Sequence, residues 1–127
     1  MPIDPGKVSE YAFTSEALKR DLVPCWPSTA MYPFDLVVAS ASRAHRVQIK
    51  ATERIGHTIP VTAHKTVNGK AAKYTKEDVD FVVVHVVKLN LFYVIPIRMI
   101  KNFEIRLKPE DPRCPYARYK EAWSLLA

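Results

Sequence analysis

This sequence has little of several things, and each shortage removes a class of protein. Three glycines in 127 residues leave no glycine-rich loop to cradle a phosphate, and there is no Gly-x-Ser-x-Gly elbow for a serine nucleophile. Cys25 and Cys114 are the only cysteines and have no CxxC spacing, so a structural zinc is not expected and both read as free thiols. No apolar run approaches the roughly 20 residues that span a bilayer, so no membrane partner is expected. Met1 to Lys7 carries Asp4, Pro5 and Gly6 instead of an apolar stretch, and is expected not to be a signal peptide. These readings together predict a cytoplasmic protein. The length predicts one domain over residues 1–127, and 48% hydrophobic residues can supply its core. Acidic residues are scarce where basic ones gather. Between Arg43 and Lys76, Glu53 is the single acid against Arg43, Arg46, Lys50, Arg54, Lys65, Lys70, Lys73 and Lys76. A block this one-sided suits a polyanion better than the net charge of +6 alone would indicate.

What is present is organised around residues 35–50. Asp35 precedes the apolar, β-branched run Leu36 to Ala39, which suits a mostly buried strand. Ser40 to Ala44 is short enough for a hairpin link. His45 to Lys50 then alternates, placing Val47 and Ile49 on one face and Arg46, Gln48 and Lys50 on the other. An acid on one strand thus faces an amide and a lysine on its neighbour. Two readings compete: a half-exposed hairpin with a solvated polar face, and a metal and phosphate site.

The rest of the chain reads as follows. Asp4-Pro5 predicts a helix start, with a stripe of Val8, Tyr11, Ala12, Ser15, Leu18 and Leu22, and with Glu10 off its centre near Thr14 and Ala17. Val23 to Pro27 predicts a short edge strand, and Ser28 to Pro33 a loop leading to Asp35. There Trp26 and Tyr32 either cap the core or touch a ligand. Ile59 to Lys65 reads as a strand and Asn68-Gly69 as a turn. Phe81 to Val87 and Leu91 to Ile95 read as buried, antiparallel strands. Pro96 to Ile100 reads as one helical turn. Phe103, Ile105 and Leu107 alternate as an edge strand. Tyr119, Ala122, Trp123 and Leu126 predict a short amphipathic helix that covers either the core or a partner chain. His85 reads as a hydrogen-bonded core histidine.

Asp35, about a dozen residues, then Gln48-Ile49-Lys50 resembles the signature of the PD-(D/E)XK nuclease superfamily. The wording Phe34-Asp35-Leu36-Val37-Val38 with Arg46 to Thr52 is similar to its homing-endonuclease-like and archaeal Holliday-junction-resolvase-like branch. Glu10 stands where that branch has a helix glutamate, and Tyr74, Asp80 to Val84 and Phe92 to Pro96 look like its downstream strands. Gln48 occupies the second acidic position, where this branch also has glutamine.

The resemblance implies an α/β fold with a restriction-endonuclease-like core, a central mixed β-sheet flanked by helices. It implies a metal-dependent DNA endonuclease, with Mg²⁺ as cofactor and Mn²⁺ as its substitute. Asp35, the Gln48 side chain, the Ile49 carbonyl and Glu10 would serve the metal. Lys50 would orient the attacking water and stabilise the phosphate charge. Arg43, His45, Arg46, Lys65, Lys70 and Lys73 are the expected DNA contacts. Cutting both strands of a duplex calls for two sites related by a two-fold axis, so a homodimer or homotetramer is expected. Two rival readings stand beside this one. Gln48 is also what a catalytically weak or inactive DNA-binding module of the same fold would carry. The C-terminal apolar stretch would suit a small assembly subunit.

Overall fold

The computed structural model describes residues 3–30 and 32–127; Met1, Pro2 and Met31, the last inside the expected 28–33 loop, lie outside the described residues. Asp4 caps helix α1 (Pro5–Leu18), its carboxylate accepting the Gly6 N–H at 2.9 Å. The chain then forms edge strand β1 (Val23–Cys25), followed by β2 (Leu36–Ala39) and β3 (Ala44–Thr52). β2 and β3 make the expected antiparallel hairpin, with Leu36 opposite Val47 and Ala39 opposite Ala44.

β7 (Phe81–Val86) lies parallel to β3, and β8 (Leu91–Pro96) antiparallel to β7. The result is a five-stranded mixed sheet in the order β1-β2-β3-β7-β8. A parallel neighbour requires a long crossover. Residues 53–80 supply it and carry β4 (Ile59–Thr62), β5 (His64–Val67) and β6 (Lys70–Lys73). β4 pairs with β9 (Glu104–Leu107), while β5 and β6 form a separate hairpin whose Asn68 and Gly69 both have positive φ, as a tight two-residue turn demands.

β7 is buried along its whole length, because the sheet has a core on each face. On one face Val47, Ile49, Val83 and Val94 meet Phe13 and Ala17 of α1 and the C-terminal residues Trp123 and Leu126. On the other, Val82, Val84, Tyr93 and Ile95 meet Ile59 and Val61 of β4 and Ile105 and Leu107 of β9. The helical cover is therefore α1 and short 3₁₀ turns, and a two-stranded sheet takes the place of helices on the second face.

Two sequence expectations change. The buried face of α1 is Ser9, Phe13 and Ala17; Val8, Tyr11 and Leu18 point to solvent. Apolar residues surround much of this helix, so periodicity alone could not choose the face. The C-terminal stretch is two 3₁₀ turns, Ala117–Tyr119 and Trp123–Leu126, instead of one helix. Glu121 between them takes positive φ, which stops a helix from continuing. Its apolar residues finish the chain's own core: Trp123 stacks on Phe13 with centroids 5.2 Å apart. Ile105 and Leu107 of β9 are likewise buried, while Phe103 just before β9 and Leu125 stay exposed.

Ser9 is buried because β7 gives it a partner. Its hydroxyl meets His85 Nδ1 at 2.7 Å, His85 Nε2 lies 3.3 Å from Asn90 Oδ1, and the imidazole stacks on Phe92. The core histidine is thus hydrogen-bonded at both nitrogens. Burial pushes its pKa down, against the raising effect of its hydrogen bond to the Asn90 oxygen. Ser9→Ala should cost about 1–3 kcal/mol, the cost of leaving a buried polar atom unsatisfied, read from urea unfolding at neutral pH. The folded histidine resists protonation and the unfolded one does not. Stability should therefore fall as pH drops below the ordinary histidine value of 6.5, and an acid limb that persists in His85→Gln would count against this assignment.

Candidate active site

The hairpin β2–β3 places the signature residues. Before Leu36 the chain leaves the regular ladder. The Asp35 N–H donates to the Val47 carbonyl at 2.9 Å, and Asp35 Oδ2 accepts the Ile49 N–H at 2.8 Å. A side chain thus does the work of a missing strand residue, and the carboxylate is held by the strand it serves. Val47 and Ile49 point into the α1-side core, so alternation sends Gln48 and Lys50 to the opposite face. Gln48 and Lys50 are half-buried there, and Lys50 Nζ lies 5.4 Å from the centroid of the Tyr74 ring.

Burial pushes the Asp35 carboxyl above the usual carboxylate range. The Ile49 N–H opposes this shift, Glu10 adds to it, and Lys50 and Lys7 oppose it. Burial likewise pushes the Lys50 ammonium down, against the pull of Asp35. The Tyr74 hydroxyl is pushed up, first by burial and then by the charges of Asp35 and Asp78. Asp35, Lys50, Glu10, Lys7 and Tyr74 thus form one electrostatically coupled group. Glu10 reaches it from α1 and pairs with Lys7 at 3.1 Å, one helical turn away. A cleft of about 350 Å³ opens beside Asp35 and Glu10, walled by Trp26, Tyr32 and Phe34. Tyr32 stacks on Phe34 at 5.2 Å, while Trp26 and Tyr32 stay exposed, so they line this cleft instead of capping the core.

The donors suit a hard divalent cation. Two carboxylates, an amide and a backbone carbonyl are all oxygen ligands, and Mg²⁺ accepts one or two carboxylates while keeping several waters. The mutual repulsion of Asp35 and Glu10 is of the kind a cation relieves. Among the described residues no three His, Cys, Asp or Glu side chains gather into a metal cage.

The basic block divides. Arg46 is held by Asp80, whose carboxylate accepts from the Arg46 backbone N–H at 2.8 Å and from its guanidinium at 3.1 Å; the same guanidinium donates to the carbonyls of Lys76 and Glu77. Lys65 Nζ meets Asp78 Oδ2 at 2.7 Å. Arg46 thereby braces the 74–80 turn against the five-stranded sheet, and Lys65 ties the β5–β6 hairpin to the same turn. Half-buried His45 lies edge-on to Phe81 at 5.1 Å. Arg43, Lys70 and Lys73 are exposed.

Sequence reasoning gave Lys7 no role and took Tyr74 only as part of the resembling downstream strands, without a place in the site. Three-residue spacing from Glu10 on a helix would have flagged Lys7. Nothing local marks Tyr74, which reaches Lys50 only through the crossover.

No helix is long and apolar enough to cross a membrane among the described residues. The structure is similar to that of a bacterial homing endonuclease, I-Ssp6803I, with 26% identity and a TM-score of 0.78, covering 96% of this chain and 90% of that one. It is also similar to Hjc, a Holliday junction resolvase of the archaeal hyperthermophile Archaeoglobus fulgidus, with 12% identity and a TM-score of 0.62, covering 97% and 96%. At that identity the second likeness speaks for the restriction-endonuclease-like fold alone. No curated protein matches the sequence. Residues 3–126 match the profile of the PD-(D/E)XK endonuclease, and the chain belongs to that family.

Proposed function

We propose that this protein is a metal-dependent DNA endonuclease that hydrolyses phosphodiester bonds, with Mg²⁺ as its metal and Mn²⁺ as a substitute. The observation that carries the reading is the group at the start of β2: Asp35 and Glu10 line one open cleft, and the charge of Lys50 on the neighbouring strand acts on Asp35.

Asp35, Gln48, the Ile49 carbonyl and Glu10 would hold the ion. When bound, it supplies Lewis acidity and lowers the pKa of a coordinated water. Asp35 Oδ2 is engaged by Ile49, which fixes the carboxylate plane and leaves Oδ1 to serve the cation. In hydrolysis a water oxygen forms the new bond to phosphorus, the ester P–O bond breaks, and the departing oxygen takes a proton. Lys50 faces the charge that builds on the phosphate. Its partly buried ammonium sits where water screens it poorly, so it stabilises that charge strongly. Arg43, Lys70 and Lys73 are the exposed cations available to the DNA backbone.

A second reading is favoured by Gln48 and by the Lys7–Glu10 ion pair, which already occupies the auxiliary carboxylate: a DNA-binding module with weak or no catalysis. Plasmid nicking with Mg²⁺ or EDTA separates the two. Metal-dependent cleavage supports the endonuclease; steeply salt-dependent binding without cleavage supports the module.

Lys50→Ala should slow single-turnover cleavage about 10²-fold or more, the usual cost of losing one transition-state charge stabiliser, with DNA affinity largely retained. Equal rates for variant and parent would remove Lys50 from the chemistry.

Asp35→Asn should abolish cleavage yet raise the melting temperature at neutral pH. The raised pKa means that the fold favours the protonated acid. The contribution of Asp35 is present below its ordinary value of 3.8 and lost as pH rises through the folded value. The thermal difference should therefore shrink in acid, and a variant less stable than the parent at pH 7 would contradict the assignment.

We also propose a homodimer or homotetramer, since double-strand cutting needs paired sites. The apolar surface left for it includes the outward stripe of Val8, Tyr11 and Leu18 on α1. Sedimentation at micromolar concentration, with and without DNA, should give a species larger than one chain; a strict monomer in both would exclude paired cutting.

A further inference from the structure

Residues His64 to Lys73 hold three lysines and no acid. They form the β5–β6 hairpin, which is a sheet of its own and joins neither the five-stranded sheet nor β4–β9. A lone two-stranded ribbon is marginal in water unless something holds it. Here the hold is confined to the root. Lys65 is tied to Asp78, Asp78 also accepts the Thr75 N–H, and His64 lies edge-on to Phe103 at 5.9 Å. From Thr66 to Ala71 every residue is exposed, including Val67 at 46%. The outer hairpin therefore contributes nothing to either core.

Its side chains are small or polar. Cross-strand partners share a face, so Thr66 stands with Ala71, and Val67 with Lys70. Such a ribbon, with strands about 4.8 Å apart, is slim enough for a B-DNA major groove about 12 Å wide. The root is fixed beside the chemistry, because β6 runs directly into Tyr74, which lies against Lys50. Four residues of strand reach about 13 Å, or about four base steps at roughly 3.4 Å each.

We propose that β5–β6 is the sequence-reading element of this protein. It lies in the major groove with Thr66 and Asn68 at base edges and Lys70 and Lys73 on flanking phosphates. The Asn68 amide can donate and accept together, the pattern adenine presents there. Lys65, committed to Asp78, is the anchor. This inference rests on the DNA-binding reading above.

The test is selection of randomised 20-base-pair duplexes by the full chain in EDTA, so that cleavage plays no part. The parent should enrich a motif containing a block of about two or three base pairs with roughly tenfold preference at each. In Thr66→Ala/Asn68→Gly that preference should fall towards onefold while the remainder of the motif persists. Glycine keeps the positive φ of the turn, so the hairpin is retained. Ala71→Glu, at an exposed site, should erase the same block by placing an acid in the groove. An identical motif in parent and both variants, or salt-dependent binding with no motif in the parent, would overturn the inference and leave the DNA-binding reading standing. No binding of any duplex by the parent would overturn that reading, and this inference with it.

Discussion

The Ile49 N–H needs an acceptor that β2 does not extend far enough to provide, and the Asp35 carboxylate provides it. This bond couples the end of one strand to the middle of the next. An unpaired N–H in this half-buried position would be costly. An acid in the same position would be costly as well, and the fold keeps it by surrounding it with Lys50 and Lys7. The arrangement trades stability for a fixed carboxylate. Strand ladder, candidate metal ligand and candidate active-site lysine are then parts of one structure, so a slip of β3 by one residue would move Lys50 and Ile49 to each other's faces.

The parallel contact of β3 with β7 divides the molecule. One face of the sheet belongs to α1 and the C-terminal turns, the other to β4 and β9. Arg46 and Asp80 lock the start of this contact, bonding backbone to side chain across the two strands. The candidate site lies along β3 from that lock, on the face of Gln48 and Lys50. There Lys50 lies against Tyr74 and shares an open cleft with Pro60 and Thr62 of β4 and Glu104 of β9, so it is partly desolvated yet reachable from solvent.

Much of this was legible in the sequence, for definable reasons. Alternation fixed the faces of β3, because Val47 and Ile49 are apolar and their neighbours are not. The Asn-Gly turn and the apolar runs of β7 and β8 are local signals that tertiary structure had no cause to override. The buried face of α1 was not legible: Ser9 is inside only because His85 lies across from it, 76 residues away. The C-terminal turns misled because Tyr119, Trp123 and Leu126 carry a helical spacing that Glu121 interrupts. Of the candidate site, Asp35, Gln48 and Lys50 are legible as a polar set carried by two adjacent strands. Glu10 needed the family resemblance. Tyr74 needed the crossover, and the roles of Arg46 and Lys65 needed their acid partners, which lie 34 and 13 residues further along.

The separation of β5–β6 from both cores bears on how such a chain can change. Lengthening a surface loop costs little, growing only with the logarithm of its size, and exposed tips are where insertions are best tolerated. Residues 66–71 bury no side chain that the core would miss. A segment of different length or wording could be exchanged there while Asp78, Lys65 and the β2–β3 hairpin stay in register. The scaffold that positions the acid and the lysine is thus mechanically independent of the ribbon beside it, and the two are free to diverge at different rates.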